Sequence, residues 1–209
     1  HKAKDYVPML PDDFLEIDAE TRSWLYPIYP FKTQEEQLQF IDHFHPADLL
    51  SRHPKARPLT SATELASLQS MVQRYIQAMK LSPDIIIQEG VMCAWMKQTA
   101  DDTKSEDPKG VEMVPAIAYC NYLDGKIINV KFRSVQQHPV TGEWSKLFCQ
   151  VSPTKPCAPY GIDSINDLRP EAGIIRQIII TEGEKDRLTL MSCGFLYVLS
   201  VANGAATNI

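Results

Sequence analysis

The chain has 209 residues, of which 44% are hydrophobic and 22% are charged, as in ordinary soluble globular proteins of one or two domains. Its formal net charge of −5 is not the balance of a broadly basic nucleic-acid-binding protein. No apolar run approaches the ~18 residues that a membrane-spanning helix needs, so no contact with a membrane is expected.

The cysteines predict a reducing compartment. There are five of them, an odd number, and no two form a Cys-x-x-Cys pair, which argues against a disulfide framework or a zinc ribbon. The expected location is therefore the cytoplasm. Cys93, Cys120 and Cys149 each lie in an apolar, strand-like run, and we expect them to be buried thiols.

Helices are predicted in the first half of the chain. Residues 1–32 are rich in proline, aspartate and aromatics without a clean period. The capping box at 33–36, followed by Leu38, Ile41 and Phe44 at helical spacing, predicts a short amphipathic helix that Pro46 ends. A second capping box at 61–64 precedes apolar residues at helical spacing, which predicts a core-facing helix over 61–80. Pro83 favours the start of another short helix that closes at Gly90.

From Val91 the hydrophobic period changes to two, which predicts an antiparallel meander. The Asp124-Gly125 dipeptide is typical of a tight hairpin turn. A polar, charged insertion covers 99–110, and a short helix is predicted over 163–168. The strands are predicted over 91–97, 114–122, 126–134 and 144–151.

The meander also carries a local excess of positive charge. Residues 126–176 contain seven Lys/Arg and four Asp/Glu, although the whole chain is acidic. The two-residue period places Lys131 and Arg133 on one face of a strand, and Lys146 follows on the next predicted strand. This face either contacts phosphate or is the solvated side of a half-exposed sheet.

A strand–helix–strand pattern ends the chain. Five isoleucines lie within residues 174–180 and predict a strand buried on both faces of a mainly parallel sheet. A helix pattern with Gly194 as its C-cap follows, and a second apolar strand over 196–201 leads to Asn203-Gly204. Glu182 stands at the carboxyl end of the first strand, where open α/β sheets bind their ligands.

The segments 180–186 and 198–205 resemble the first half of a Toprim domain, a module of primases, topoisomerases and some nucleases. The similarity is closest to phage and Twinkle-type primase–helicases and extends over about residues 58–209. It implies a functional glutamate at Glu182, a tight-turn glycine at Gly183 and a supporting acid at Asp186. Glu182 and Asp186 would then hold Mg²⁺ or Mn²⁺, with the remaining ligands, an Asp-x-Asp strand end, beyond Ile209.

The resemblance also implies roles for other residues. In Twinkle-like primases a similar strand–turn–strand carries basic residues that help to join nucleotides, which points to Lys131, Arg133 and Lys146; Lys131 and Lys146 would be catalytic. Gly183 and the Asn203-Gly204 turn would contact nucleotide or nucleic acid. Outside this set, Glu184 is interpreted as a helix-start residue that complements the helix dipole, and Gly161 as a structural turn glycine.

These observations predict an α+β fold made of a helical segment, an antiparallel β-meander and the first β-α-β half of an α/β Toprim domain. The domains expected are 1–57 of unknown role, 58–172 as a primase N-terminal subdomain, and 173–209 as a truncated Toprim domain. The chain starts without methionine and stops inside the Toprim pattern, so both ends are interpreted as cut edges of a larger protein.

The leading hypothesis is part of the catalytic core of a DNA primase. It would synthesise RNA primers on a single-stranded DNA template from ribonucleoside triphosphates, beside a fused or separate replicative helicase; no Walker A motif occurs in these residues. The isolated chain is expected to be inactive. The alternatives are a Toprim nuclease or topoisomerase-like strand cleaver, and a non-catalytic nucleic-acid-binding Toprim module of a mobile-element replication protein.

Overall fold

The computed structural model describes parts of the chain, which form three helices, an antiparallel sheet and a terminal strand–helix–strand unit. The predicted helix that begins at the 33–36 capping box, the polar insertion and the Asn203-Gly204 turn lie outside the described residues. Within them, no helix combines the length and the apolar character that crossing a membrane requires. The described residues are 25–30, 56–57, 59, 61–98, 112–150, 158–166 and 177–201.

Helix α1, Ala62–Ala78, begins at the predicted capping box. The Ser61 hydroxyl accepts a hydrogen bond from the Glu64 backbone N–H at 3.2 Å, and this satisfies one of the free donors of the first turn. Helix α2, Pro83–Gln88, starts on its proline and is followed by Gly90 at φ +59°, as predicted. The inward face of α1 is apolar and buried, and it consists of Leu65, Leu68, Val72, Tyr75 and Ile76.

The predicted meander is confirmed as an antiparallel sheet with the strand order β1-β3-β4-β5-β6, in which β2 also pairs with β3. Asp124 and Gly125 have φ values of +52° and +71°, the left-handed pair that a tight β4–β5 hairpin turn needs. The strands are β1 Tyr26–Pro27, β2 Ala56–Arg57, β3 Met92–Gln98, β4 Glu112–Leu123, β5 Lys126–Ser134 and β6 Phe148–Gln150.

The last predicted strand of the meander is shorter in the structure. Trp144 makes an isolated bridge to Gln137, and regular pairing begins only at Phe148. The placement of Lys146 on a strand is therefore wrong, because this residue lies in the irregular connection before β6, where it is exposed. The connection departs from the ladder because it closes the loop around Gly142, whose φ is +70°.

The two faces of β5 differ as the two-residue period predicts. Val130 and Phe132 are buried in an apolar core on one face of the sheet. The opposite face belongs to a second core, in which residues of β4 such as Tyr119 pack together with helix α1. Lys131 and Arg133 lie on this second face, each half-buried.

The terminal unit consists of β7 Ile179–Thr181, helix α4 Glu184–Ser192 and β8 Val198–Ser200, and its strands pair in parallel. Strand β8 is buried, but Ile178 and Ile180 are 41% and 61% exposed, so the prediction of an isoleucine run buried on both faces is wrong for these two. Among the described residues, β8 is the only strand beside β7, which leaves part of β7 uncovered. The predicted C-cap glycine, Gly194, follows α4 at φ +94°.

A buried ion pair joins this unit to the rest of the fold. The Arg187 guanidinium lies 2.6 Å from the Glu89 carboxylate, which follows helix α2, and both side chains are at most 3% exposed. Arg187 also donates to the Val198 carbonyl at 2.8 Å and stacks 5.1 Å from the centre of the Tyr160 ring. The Ser164 hydroxyl donates to the same Glu89 oxygen at 2.8 Å. Helix α4 is thus held against both α2 and β8.

A second contact docks the β4–β5 hairpin on the same side. The Asp163 carboxylate accepts from the backbone N–H groups of Asp124 and Gly125 at 3.1 and 2.8 Å. Asp163 belongs to helix α3, whose described part covers residues 162–166. Just before it, Tyr160 exchanges backbone hydrogen bonds with Ser200 of β8. These contacts fix where helix α4 begins relative to β5.

Candidate functional site

The basic face of β5 meets the first turn of helix α4. The Lys131 ammonium lies 3.0 Å from one carboxylate oxygen of Glu184 and 3.1 Å from the other. Lys131 stands directly opposite Tyr119 on β4, and Arg133 stands opposite Ile117. The tertiary fold therefore brings the cationic face of one strand to the acidic start of a helix, and the contacting residues are 53 positions apart in the chain.

Glu184 is the residue that sequence reasoning missed. It is interpreted above only as a helix-start residue that complements the helix dipole, but the structure buries it, with 6% of its surface exposed, against Lys131. Burial raises the pKa of its carboxyl, and the charge of Lys131 opposes part of that rise. Its spacing contained a signal, because Glu184, Arg187, Leu188 and Met191 follow the i, i+3, i+4, i+7 pattern of one helix face and all four are buried.

A small, partly open cleft of about 10 Å³ lies beside the ion pair, between the sheet and Tyr160. The hydroxyls of Tyr119 and Tyr160 and the side-chain oxygen of Asn121 are buried there without a partner among the described residues. Burial raises the pKa of both tyrosines well above its usual range, so both keep their protons as donors at neutral pH. The cleft is lined by Tyr119, Asn121, Asn129, Lys131, Tyr160 and Glu184.

The residues of the Toprim-like turn lie outside this cleft and face solvent. Glu182 is exposed in the bend that follows β7, and Gly183 caps helix α4. Asp186 is 57% exposed at its side chain and pairs with Lys185 at 3.1 Å. No cluster of three or more metal-ligating side chains occurs in the part of the chain that the structure describes.

The structure therefore does not bring all the predicted site residues together, and Glu182, Gly183 and Asp186 form a separate, solvent-facing group. Lys131 and Arg133 come together with Glu184, which is two residues from the exposed Glu182 along the chain. Lys146 is exposed in the connection before β6, and no contact of its side chain with the other site residues is found among the described residues. Asn203 and Gly204 lie outside the described residues. Chemically, cations and carboxylates at a helix start are suited to phosphates and divalent metal ions.

No protein-family model matches the chain, and no curated protein matches it. Solved structures of primases share part of its shape. The E. coli primase catalytic core is 12% identical, with a TM-score of 0.45, and the match covers 68% of this chain and 49% of that one. A DnaG primase catalytic domain bound to single-stranded DNA is 11% identical, with a TM-score of 0.47 and the same two coverages.

The Aquifex aeolicus primase, solved with its zinc-binding and RNA polymerase domains, is 12% identical with a TM-score of 0.43. That match covers 84% of this chain and 44% of the other. The chain spans about half the length of the solved structures that it matches. All these TM-scores lie below 0.5, so the functional assignment depends on the residues of the site itself.

Proposed function

We propose that this chain forms part of the catalytic core of a DNA primase of the primase–helicase type, which synthesises RNA primers on single-stranded DNA from ribonucleoside triphosphates. The observation that carries the proposal is the meeting of β5 and α4, where Lys131 lies 3.0 Å from Glu184 and Glu182 is exposed two residues earlier. Nucleotidyl transfer needs positive charge on the phosphates beside a carboxylate-held metal ion, and both kinds of group meet here.

The cations of β5 would hold phosphate. Lys131 and Arg133 point to the same side of the sheet, and a triphosphate or template phosphate bound there would lie beside them, next to the start of α4. A phosphate at this position would share the Lys131 ammonium with Glu184. Lys146, exposed before β6, would add a third cation from outside the sheet. Their role would be to offset the negative charge that grows on the phosphate during transfer.

Glu182 and Asp186 fit a magnesium ion. Both expose carboxylates, and Mg²⁺ is commonly held by one or two carboxylates that are completed by water and substrate phosphates. When bound, the ion would stabilise the charge on the reacting phosphate. We propose that the remaining ligands lie beyond Ile209. Gly183, which has no side chain, leaves space for a phosphate at the start of α4.

The decisive experiment is Glu182→Gln in the longer protein that carries this chain. Template-directed incorporation of labelled ribonucleotides is expected to fall at least ~100-fold, comparable to the loss of a major electrostatic group. Because Glu182 is exposed, the melting temperature is expected to stay the same. Binding to single-stranded DNA is also expected to persist, since the cations of β5 supply it.

The matched control is Glu143→Gln, the same change at an exposed glutamate in the turn before Trp144. Equal activity of the Glu182 and Glu143 variants would refute a catalytic role for Glu182. Unaltered protein that binds single-stranded DNA but incorporates no ribonucleotide would favour the non-catalytic module instead. Cleavage of the DNA would favour a nuclease.

A further inference from the structure

An aromatic ring lies exposed beside the cations of the site. Phe148, the first residue of β6, is 60% exposed although it belongs to a regular strand. The Lys131 ammonium lies 5.3 Å from the centre of its ring, within the range of a cation–π contact. Phe148 was not among the residues that the sequence singled out.

The strand register explains why these groups share a surface. Phe148 stands directly opposite Arg133 across the antiparallel β5–β6 pair, and directly opposite residues project from the same face. Lys131, two residues before Arg133, projects from that face as well. Among the described residues, β6 is the outer strand on this side of the sheet. The ring therefore lies at the open margin of the cationic surface.

We propose that Phe148 is a stacking platform for an unpaired nucleobase whose own phosphate contacts Lys131 and Arg133. This inference rests on the proposed function and specifies how the same site holds its nucleic acid. Proteins that bind single strands combine a positive groove for the backbone with exposed aromatic rings on which bases stack. Both parts are present here within one strand pair.

The charges around the ring favour a nucleobase over an apolar protein surface. Lys131 is already paired with Glu184, but an apolar partner would also have to cover Arg133, and burying a cation is costly where it gains no partner. A nucleotide brings a flat apolar face and a phosphate together, so the ring and the cations are satisfied by one ligand. The base could belong to a template strand or to a free nucleotide, and these two sources share the chemistry that the site recognises.

The test uses this chain and a fluorescein-labelled oligothymidylate, with binding followed by anisotropy over a series of salt concentrations. Phe148→Ala is expected to weaken binding by about 5- to 150-fold, the range for losing one stacked base, with the salt slope unchanged. Lys131→Ala is expected to reduce the slope of log K against log salt by about 0.7, the single-strand value for one phosphate contact. Phe148→Trp is expected to retain binding, because it keeps a ring.

Two controls separate stacking from other losses. Phe195→Ala removes an equally large and exposed aromatic residue at the far end of α4, and it is expected to leave binding unchanged. An abasic oligonucleotide of the same length is expected to bind the unaltered chain and Phe148→Ala equally. ATP in place of the oligonucleotide shows whether the stacked base belongs to a free nucleotide, in which case its affinity falls in Phe148→Ala.

Unchanged affinity of Phe148→Ala for both the oligothymidylate and ATP would overturn the platform. So would a loss that is equally large on the abasic strand, since no base is then involved. Neither binding measurement depends on catalysis, so neither result changes what the Glu182→Gln experiment shows. Conversely, primer synthesis that does not fall in Glu182→Gln would count against the proposed function without affecting the stacking result.

Discussion

Breaking the buried Glu89–Arg187 pair should show how strongly it holds helix α4 in place. Arg187→Met removes the guanidinium and leaves the Glu89 carboxylate buried, with the Ser164 hydroxyl as its remaining described donor. Removing one partner of such a pair costs about 3–5 kcal/mol, because an uncompensated charge stays in the interior. Both side chains are at most 3% exposed, so screening by solvent removes little of this cost.

For a chain of this length, each kcal/mol corresponds to about 2–4 °C in melting temperature, so Arg187→Met is expected to melt about 6–20 °C lower. Urea unfolding, followed by circular dichroism, provides the free energy independently of temperature. The matched control is Lys185→Met, which breaks the exposed pair with Asp186 one residue away. An exposed pair contributes about 0–1 kcal/mol, so this variant is expected to melt close to the unaltered protein.

The double variant Glu89→Leu with Arg187→Met tests the cause. Replacing both members of a buried pair by apolar residues is often neutral, so the double variant is expected to lose less stability than Arg187→Met alone. Two results would refute this reasoning. One is a loss below about 1 kcal/mol for Arg187→Met, and the other is a double variant as unstable as the sum of the two single variants.

Two further predictions concern the packing around this contact and the thiols. Gly161→Ala is expected to destabilise the fold more than Gly142→Ala. Both glycines have positive φ, but a methyl group at 161 would lie 2.2 Å from the Arg187 guanidinium, whereas a methyl group at 142 has space. Equal urea midpoints of the two variants would contradict this prediction. Iodoacetamide alkylation of the folded protein at pH 8, mapped by mass spectrometry, is expected to modify the exposed Cys193 much faster than Cys120. Burial shields the Cys120 thiol from the reagent and raises its pKa to about 12. Equal alkylation rates of the two thiols would contradict this prediction.

Local structure was predictable because neighbouring residues decide it. The capping box at Ser61, the proline at the start of α2 and the Asp124-Gly125 turn act through backbone groups a few residues away. The two-residue period of β5 likewise separated Val130 and Phe132 from the cationic face, and the structure confirms that division. Alternation, however, shows only that a face exists and not which element covers it.

Tertiary packing decided which charged residues meet. Glu182 and Glu184 are two positions apart, yet the first faces solvent and the second is buried against Lys131. Glu182 lies in the bend after β7, whereas Glu184 is the first residue of α4 and lies on the buried face of that helix. The partners of Glu184 and Arg187 lie 53 and 98 residues earlier in the chain, where no local pattern can indicate them. The shortening of the predicted strand at 144–151 has the same origin, since pairing with β5 continues only from Phe148. The sequence therefore determined the elements and the face that carries the cations. Only the folded structure placed a carboxylate and an aromatic ring beside them, because both positions depend on contacts between distant segments.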